Sequence, residues 1–149
     1  MKIRKATKKD IPILNKFSDE LHMHMSKVTG INLIKKQLQE EHIKSEKELK
    51  KDEYYVAEID GEIVGSIIFA KKVEKDEWKG RYIEIHHIIV SKEYRGKGIG
   101  KKMFELVKTV AKKKKANIMV DTAFQNKSGI VFYEQMGFKP SGLEMLWRL

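Results

Sequence analysis

The chain has 149 residues, 31 of them Lys or Arg against 21 Asp or Glu, for a formal net charge of +10. That length suits one domain with a single core, and 41% hydrophobic with 35% charged residues describes a globular chain, neither disordered nor membrane-spanning. The cysteine count of 0 excludes disulfides, thiolate zinc sites and a cysteinyl-enzyme intermediate.

The longest apolar runs, such as Ile67 to Ala70 and Ile88 to Val90, are only a few residues long. A bilayer span needs roughly 20. No apolar stretch follows Met1-Lys2-Ile3-Arg4-Lys5, so no signal peptide is visible and the cytoplasm is the expected compartment. The basic excess is uneven. Residues 81–149 carry a net +8, and ten basic residues between Lys92 and Lys115 face only Glu93 and Glu105. An anionic partner near this segment would explain the concentration, as would a solvated helix face. Lys112 to Lys115 end a predicted helix, where cations suit the dipole.

In chain order, Met1 to Ala6 reads as a first strand. Thr7 followed by Asp10 resembles a capping box, and Pro12 is tolerable in a first turn. Ile11, Leu14, Phe17 and Leu21 then predict an amphipathic helix to about Met25. Residues 26–52 read as a weaker, charged helical stretch with Ile31, Ile34, Leu38 and Ile43 on its apolar side.

Tyr54 to Ile59, Asp60-Gly61, and Glu62 to Val73 form a strong hairpin signal, because Asp-Gly supplies the positive φ of a tight turn. Glu74 to Gly80 reads as a polar loop and Arg81 to Val90 as a third β-run. Ile99, Met103, Leu106, Val107 and Val110 mark a helix to about Lys115. Ile118 to Val120 is a short buried strand. Asn126 caps a helix running to Met136, which Gly137 stops, and Phe138 to Leu149 is expected to add one or two closing strands. The order βααβββαβαβ implies a mixed α/β (α+β) fold with a central sheet flanked by helices.

The informative stretch is Arg95-Gly96-Lys97-Gly98-Ile99-Gly100, between a β-run and a helix. Alternating glycines bring the backbone close to a ligand, a helix N-terminus adds partial positive charge, and Arg95 and Lys97 add full charges. Together they suit a phosphate or pyrophosphate. A Walker A loop fails, because Arg95 stands where its first Gly would be and Lys102 where Ser or Thr is needed. A Rossmann fingerprint would need a glycine at Lys101 and an earlier place in the chain.

Arg95-x-x-Gly98-x-Gly100 opening a basic helix resembles the acetyl-CoA-binding signature Q/R-x-x-G-x-G/A of the GNAT superfamily of N-acetyltransferases. Asn126-x-x-Gly129-x-x-Phe132-Tyr133-x-x-x-Gly137-Phe138 is similar to the family's second motif, with Gly129 where a small Ala is usual. The element order agrees over nearly the full length, whereas residues 1–53 match in element type only.

The resemblance implies one acyl-CoA N-acyltransferase domain over residues 1–149, with a fourth strand splayed from the fifth and pantetheine inserted between them. Ile88 and Val90 would pair with the pantetheine amides, and an N–H at Ile89 or a neighbour would polarise the thioester carbonyl. The amides of Arg95, Gly96, Lys97, Gly98, Ile99 and Gly100 would hold the pyrophosphate. Lysines 97, 101 and 102 would meet the 3′-phosphate, and Asn126 the pantetheine arm.

Tyr133 matches the family's proton donor to the departing thiolate. Glu84, eleven residues before Arg95, is the candidate general base that deprotonates an amine acceptor, with His86 the runner-up. An ordinary outward-facing strand Glu fits that position equally. Strand alternation puts His86 on the face of Glu84 and His87 on the other.

His22 and His24 lie about 200° apart around a helix and cannot share one ion. Without cysteine or an HExxH pattern, no metal is expected. Leu21 to Met25 is instead a candidate lining for the acceptor pocket, besides its plain reading as helix core and surface.

The expected function is transfer of the acetyl group of acetyl-CoA to a primary amine by direct attack in a ternary complex. A homodimer is compatible with it. The alternatives are a non-catalytic acyl-CoA-binding module, which needs neither Tyr133 nor Glu84, and a basic nucleic-acid-binding protein. Four Arg and few aromatics in the basic run speak against the latter.

Overall fold

The computed structural model describes residues 1–32, 35–143, 145 and 147. In chain order it comprises β1 (Lys2–Lys5), α1 (Ile11–Thr29), α2 (Lys35–Glu41), α3 (Glu46–Leu49), β2 (Glu53–Ile59), β3 (Glu62–Phe69) and β4 (Glu74–Asp76). There follow β5 (Gly80–Val90), α4 (Ile99–Lys114), β6 (Asn117–Val120) and α5 (Lys127–Gln135).

Local chemistry accounts for the boundaries. The Thr7–Asp10 capping box forms, with the Thr7 amide donating to Asp10 Oδ2 at 2.7 Å, and a single 3-10 turn leads into α1. Asp10 also pairs with Arg4, whose Nε reaches Glu58 Oε2 at 2.7 Å, so one guanidinium ties β1 to the start of α1 and to β2. Helix α1 runs four residues past Met25, to the left-handed Gly30. The charged stretch after it breaks into α2 and α3, and the Ser45 side chain caps α3 by accepting from the Glu48 amide. The β2–β3 hairpin turns at Asp60 (φ 50°) and Gly61 (φ 83°), as Asp-Gly predicts.

Two expectations change. Glu74 to Asp76 is the strand β4, paired with Gly80 to Tyr82 of β5, and not loop. The closing strands expected in Phe138 to Leu149 do not appear among the described residues. Residues 138–143, 145 and 147 carry no strand, and 144, 146, 148 and 149 lie outside the description.

The sheet is antiparallel from β1 through β2 and β3 to β5, and among the described residues only β6 joins parallel. Tyr82 pairs with both Glu74 and Asn117, and Ile85 with both Phe69 and Val120. Strands β3 and β4 therefore share one edge of β5, and β6 takes the other.

The apolar stripe of α4, comprising Ile99, Met103, Phe104, Val107 and Ala111, packs on Val64, Ile67, Ile83 and Ile85 to form the main core. Each large side chain buried there is worth about 1.5–3 kcal/mol. A smaller cluster of Leu14, Leu49 and Val56 joins α1 and α3 to the sheet.

Candidate active site

Strand β5 organises the site. On the β6 side, its pairing covers only Tyr82 to Ile85, so among the described residues the edge from His86 to Val90 has no neighbouring strand. The β3 side continues to Val90. The direction of each peptide group follows from the turn beyond the strand. The Ser91 amide donates to the Val64 carbonyl at 2.9 Å, toward β3. Peptide groups alternate along a strand, so Ile89 also faces β3, while Ile88 and Val90 face the open edge. Two contacts agree. A β-carbon at Gly65 would lie 2.7 Å from the Ile89 carbonyl oxygen, and Arg95 Nε donates to the Val90 carbonyl at 2.9 Å.

Ile88 and Val90 thus turn their backbones to the open edge. Ile89 does not, since its amide and carbonyl are turned to β3. A carbonyl-polarising N–H in the gap would belong to Ile88 or Val90.

Beyond β5, a 3-10 turn at Lys92–Tyr94 leads into the glycine loop. Gly96 and Gly98 adopt φ 75° and 76°, a region that L side chains rarely enter. Gly98 is the N-cap of α4, and among the described residues no side chain caps that end, so the first amides of the helix are left for another partner. A β-carbon at either glycine would meet nothing within 4 Å. The backbone therefore faces open space. Arg95, Gly96, Lys97 and Gly98 are exposed, whereas the Ile99 side chain is buried in the core and only its amide could serve a ligand. Lys97 Nζ lies 4.9 Å from the centre of the Tyr94 ring, and Tyr94 donates to Glu62 at 2.9 Å.

Gly100 joins the loop to α5. A β-carbon there would stand 3.0 Å from the Phe132 ring and 3.9 Å from Ile88 Cδ1, so α4, α5 and the open edge meet at this point. Tyr133 packs edge-on against Phe132 at 5.4 Å and against Phe138 at 5.6 Å. Burial pushes its phenol up to about 12, so it keeps its proton at neutral pH.

Asn126 caps α5, its Oδ1 accepting from the Gly129 amide at 3.3 Å and its Nδ2 donating to Thr122 Oγ1 at 3.0 Å. The same Oδ1 lies 3.2 Å from His24 Nε2, a link from α1 to α5 that no spacing in the sequence signals. A β-carbon at Gly129 would stand 2.3 Å from Asn126 Nδ2, so the glycine is what permits this Asn conformation.

The opposite face of β5 carries the candidate base. Glu84 and His86 line a cavity of about 860 Å³, and His86 also lines a second of about 280 Å³ with His87 and Asp52. Here strand alternation misleads. Ile68 pairs with His87 but Phe69 pairs with Ile85, so His86 is an extra residue, a bulge, and His87 falls on the cavity side instead of the opposite one. His87 is buried, 3.3 Å from Ser66 Oγ, and desolvation, with smaller contributions from His86 and His22, brings its pKa down to about 4.

Asp52, 3.6 Å from His86 Nε2, lies on both cavities. Sequence reasoning missed it, because it precedes β2 in a run of charges with no periodic mark. The smaller cavity takes Leu14, Asn15 and Ser18 from α1, not Leu21 to Met25. Among the described residues, no group of His, Asp or Glu is arranged to hold a metal ion, and no helix is long and apolar enough to cross a membrane.

A profile of the acetyltransferase (GNAT) family matches residues 22–138. The chain belongs to the GNAT family. An uncharacterized N-acetyltransferase of Methanocaldococcus jannaschii is 31% identical over 106 residues, covering 66% of this chain and 45% of that protein. The chain spans less than half the length of the curated relatives it matches first.

Among solved structures, the tetramutant of the BH1408 protein of Bacillus halodurans superposes with a TM-score of 0.78 at 21% identity, covering 100% of both chains. An aminoglycoside N-acetyltransferase in complex with CoA superposes at 0.69 and 16% identity, covering 99% of this chain and 98% of that one. These likenesses establish the GNAT fold, a mostly antiparallel six-stranded sheet flanked by helices.

Proposed function

We propose that residues 1–149 form a single GNAT domain that transfers the acetyl group of acetyl-CoA to a primary amine in a ternary complex. The observation that carries this reading is the β5 edge at His86 to Val90, which among the described residues has no neighbouring strand and lies beside an uncapped start of α4. The donor set fits an elongated ligand with a phosphate end. Exposed glycine-loop amides and Arg95 suit the pyrophosphate, Lys97, Lys101 and Lys102 the 3′-phosphate, and the backbones of Ile88 and Val90 the pantetheine amides, with Asn126 at the side of that arm. A GNAT relative of the same fold has been determined with CoA bound.

Bound acetyl-CoA supplies an acyl group activated as a thioester. The chain's own residues then handle two protons. Glu84 takes the proton that the acceptor ammonium must lose, directly or through water, with His86 beside it as the alternative. Tyr133, kept neutral by burial, gives a proton to the departing sulfur. The acceptor nitrogen gains the acyl carbon as the C–S bond breaks, and it sheds two protons: one to Glu84 before attack, and one from the tetrahedral adduct that replaces the proton Tyr133 gives to sulfur.

The test is release of free thiol from acetyl-CoA across a panel of amines, with thermal shift against CoA and duplex DNA in parallel. Amine-dependent thiol release and a CoA-induced shift are expected. A shift with DNA and none with CoA would overturn the reading in favour of a nucleic-acid-binding protein.

A further inference from the structure

The two cavities on the α1 face of β5 differ in charge although they meet at Asp52 and His86. The larger sets Lys50, Lys51, Lys71 and Lys72 against the carboxylates of Asp52, Glu74 and Glu84, so lysines outnumber acids in its lining. The smaller has walls of Leu14, Ile43, Tyr54 and Ile68, and its formally charged groups are the carboxylates of Glu41 and Asp52. Among the described residues, no Lys or Arg lines it, in a chain with 31 of them. The ionic neighbours of these carboxylates are histidines, His22 Nε2 at 3.1 Å from Glu41 and His86 Nε2 at 3.6 Å from Asp52. Asp52 is also only 31% exposed at its side chain, which strengthens its pull on a cation.

Resting on the transferase reading, we infer that this smaller cavity selects the acceptor, a short aliphatic amine carrying a second cationic group, with Asp52 and Glu41 as ligands of that second ammonium. The apolar walls suit a methylene chain, and about 280 Å³ is at the low end for a ligand pocket, which favours a small molecule. His86 is the first residue of the open edge of β5, so the reacting amine of a molecule seated on Asp52 extends toward the gap where the acyl group would lie. Net charge would steer such a cation away from the protein as a whole. The local carboxylates reverse that preference within the cavity.

Three probes of matched length test it: 1,4-diaminobutane, n-pentylamine and 4-aminobutanoate. Each is titrated by calorimetry into the CoA-loaded protein and assayed for acetylation. The diamine should bind and react with the lowest KM, and 4-aminobutanoate with the highest. Asp52→Asn should raise the diamine KM about tenfold, the scale of one charge-assisted contact, with little change for n-pentylamine or in CoA affinity. The more exposed Glu41→Gln should act in the same direction and guards against a folding defect in the first variant.

Preference for 4-aminobutanoate, equal KM changes for diamine and n-pentylamine, or no diamine binding to a CoA-loaded protein would each overturn the inference. Absence of CoA binding would instead remove the transferase reading beneath it.

Discussion

Arg95 Nε donates to the carbonyl oxygen of Val90 at 2.9 Å, tying the glycine loop to the last residue of the open edge of β5. One N–H of a five-donor guanidinium is thereby used to hold the loop beside the gap, and the rest remain for an anion. Arg95→Ala should weaken CoA binding about 3- to 10-fold, the range of one charge-assisted bond at an exposed site. Arg95→Lys should rescue only part of it, since an ammonium does not reproduce the planar fork. Calorimetric Kd values check this, and an unchanged Kd for Arg95→Ala would contradict it.

Gly98 and Gly100 should fail differently. At Gly98 the φ of 76° strains any L residue by about 1–2 kcal/mol, and a branched side chain would fill the space in front of the helix amides. Gly98→Val is expected to abolish measurable CoA binding with only that modest loss of stability. Gly100→Ala instead drives a β-carbon to 3.0 Å from the Phe132 ring, so it should lower Tm by displacing α5. Thermal melts beside CoA titrations separate the two.

Tyr133→Phe keeps the ring contacts with Phe132 and Phe138 and removes only the hydroxyl. Turnover should fall on the order of 10²-fold, the usual worth of a positioned acid, with CoA affinity near that of the parent. Equal losses in kcat and in affinity would argue against proton donation.

Glu84→Gln tests the base. If Glu84 removes the ammonium proton, the variant should lose activity most at neutral pH and recover as pH climbs toward the amine pKa of about 10. A pH-independent loss would point to a purely structural role. A normal profile in Glu84→Gln, with the loss appearing in His86→Ala, would move the role to His86.

The buried His87 makes stability depend on pH. Its pKa lies at about 4 in the folded chain against 6.5 as an ordinary histidine, so between those values the unfolded state binds the proton and the native state does not. Stability therefore falls as pH drops from 6.5 toward 4, by on the order of 3 kcal/mol, and this contribution levels off below. Asp10, held down to about 2 chiefly by its bond to Arg4, adds its own loss only below 3.8. His87→Gln should flatten urea-denaturation stability between pH 6.5 and 4 while leaving the lower step in place.

What could be read in the sequence divides by the range of the forces involved. The Thr7–Asp10 cap, the Asp60-Gly61 turn, the α4 stripe and the Asn126 cap are local, and each appears where its residues predict. The glycine loop was legible for the same reason, because backbone exposure and positive φ are written into the residue type. The bulge at His86 was not, since it arises from how β3 and β5 register against each other, and one extra residue moves His87 to the other face. The direction of the Ile89 amide follows from that same pairing. Asp52 and the His24–Asn126 contact join residues 34 and 102 positions apart, beyond any periodicity. The closing strands expected in Phe138 to Leu149 are absent from the described part of that segment.

The most direct measurement is a 15N-labelled backbone spectrum recorded during titration with CoA. The amides of Ile88, Val90, Gly96, Gly98 and Gly100 should shift together and saturate with one Kd, while Ile89, bonded toward β3, moves less. Shifts confined to the exposed lysine face of α4, with Ile88 and Val90 unmoved, would contradict the account.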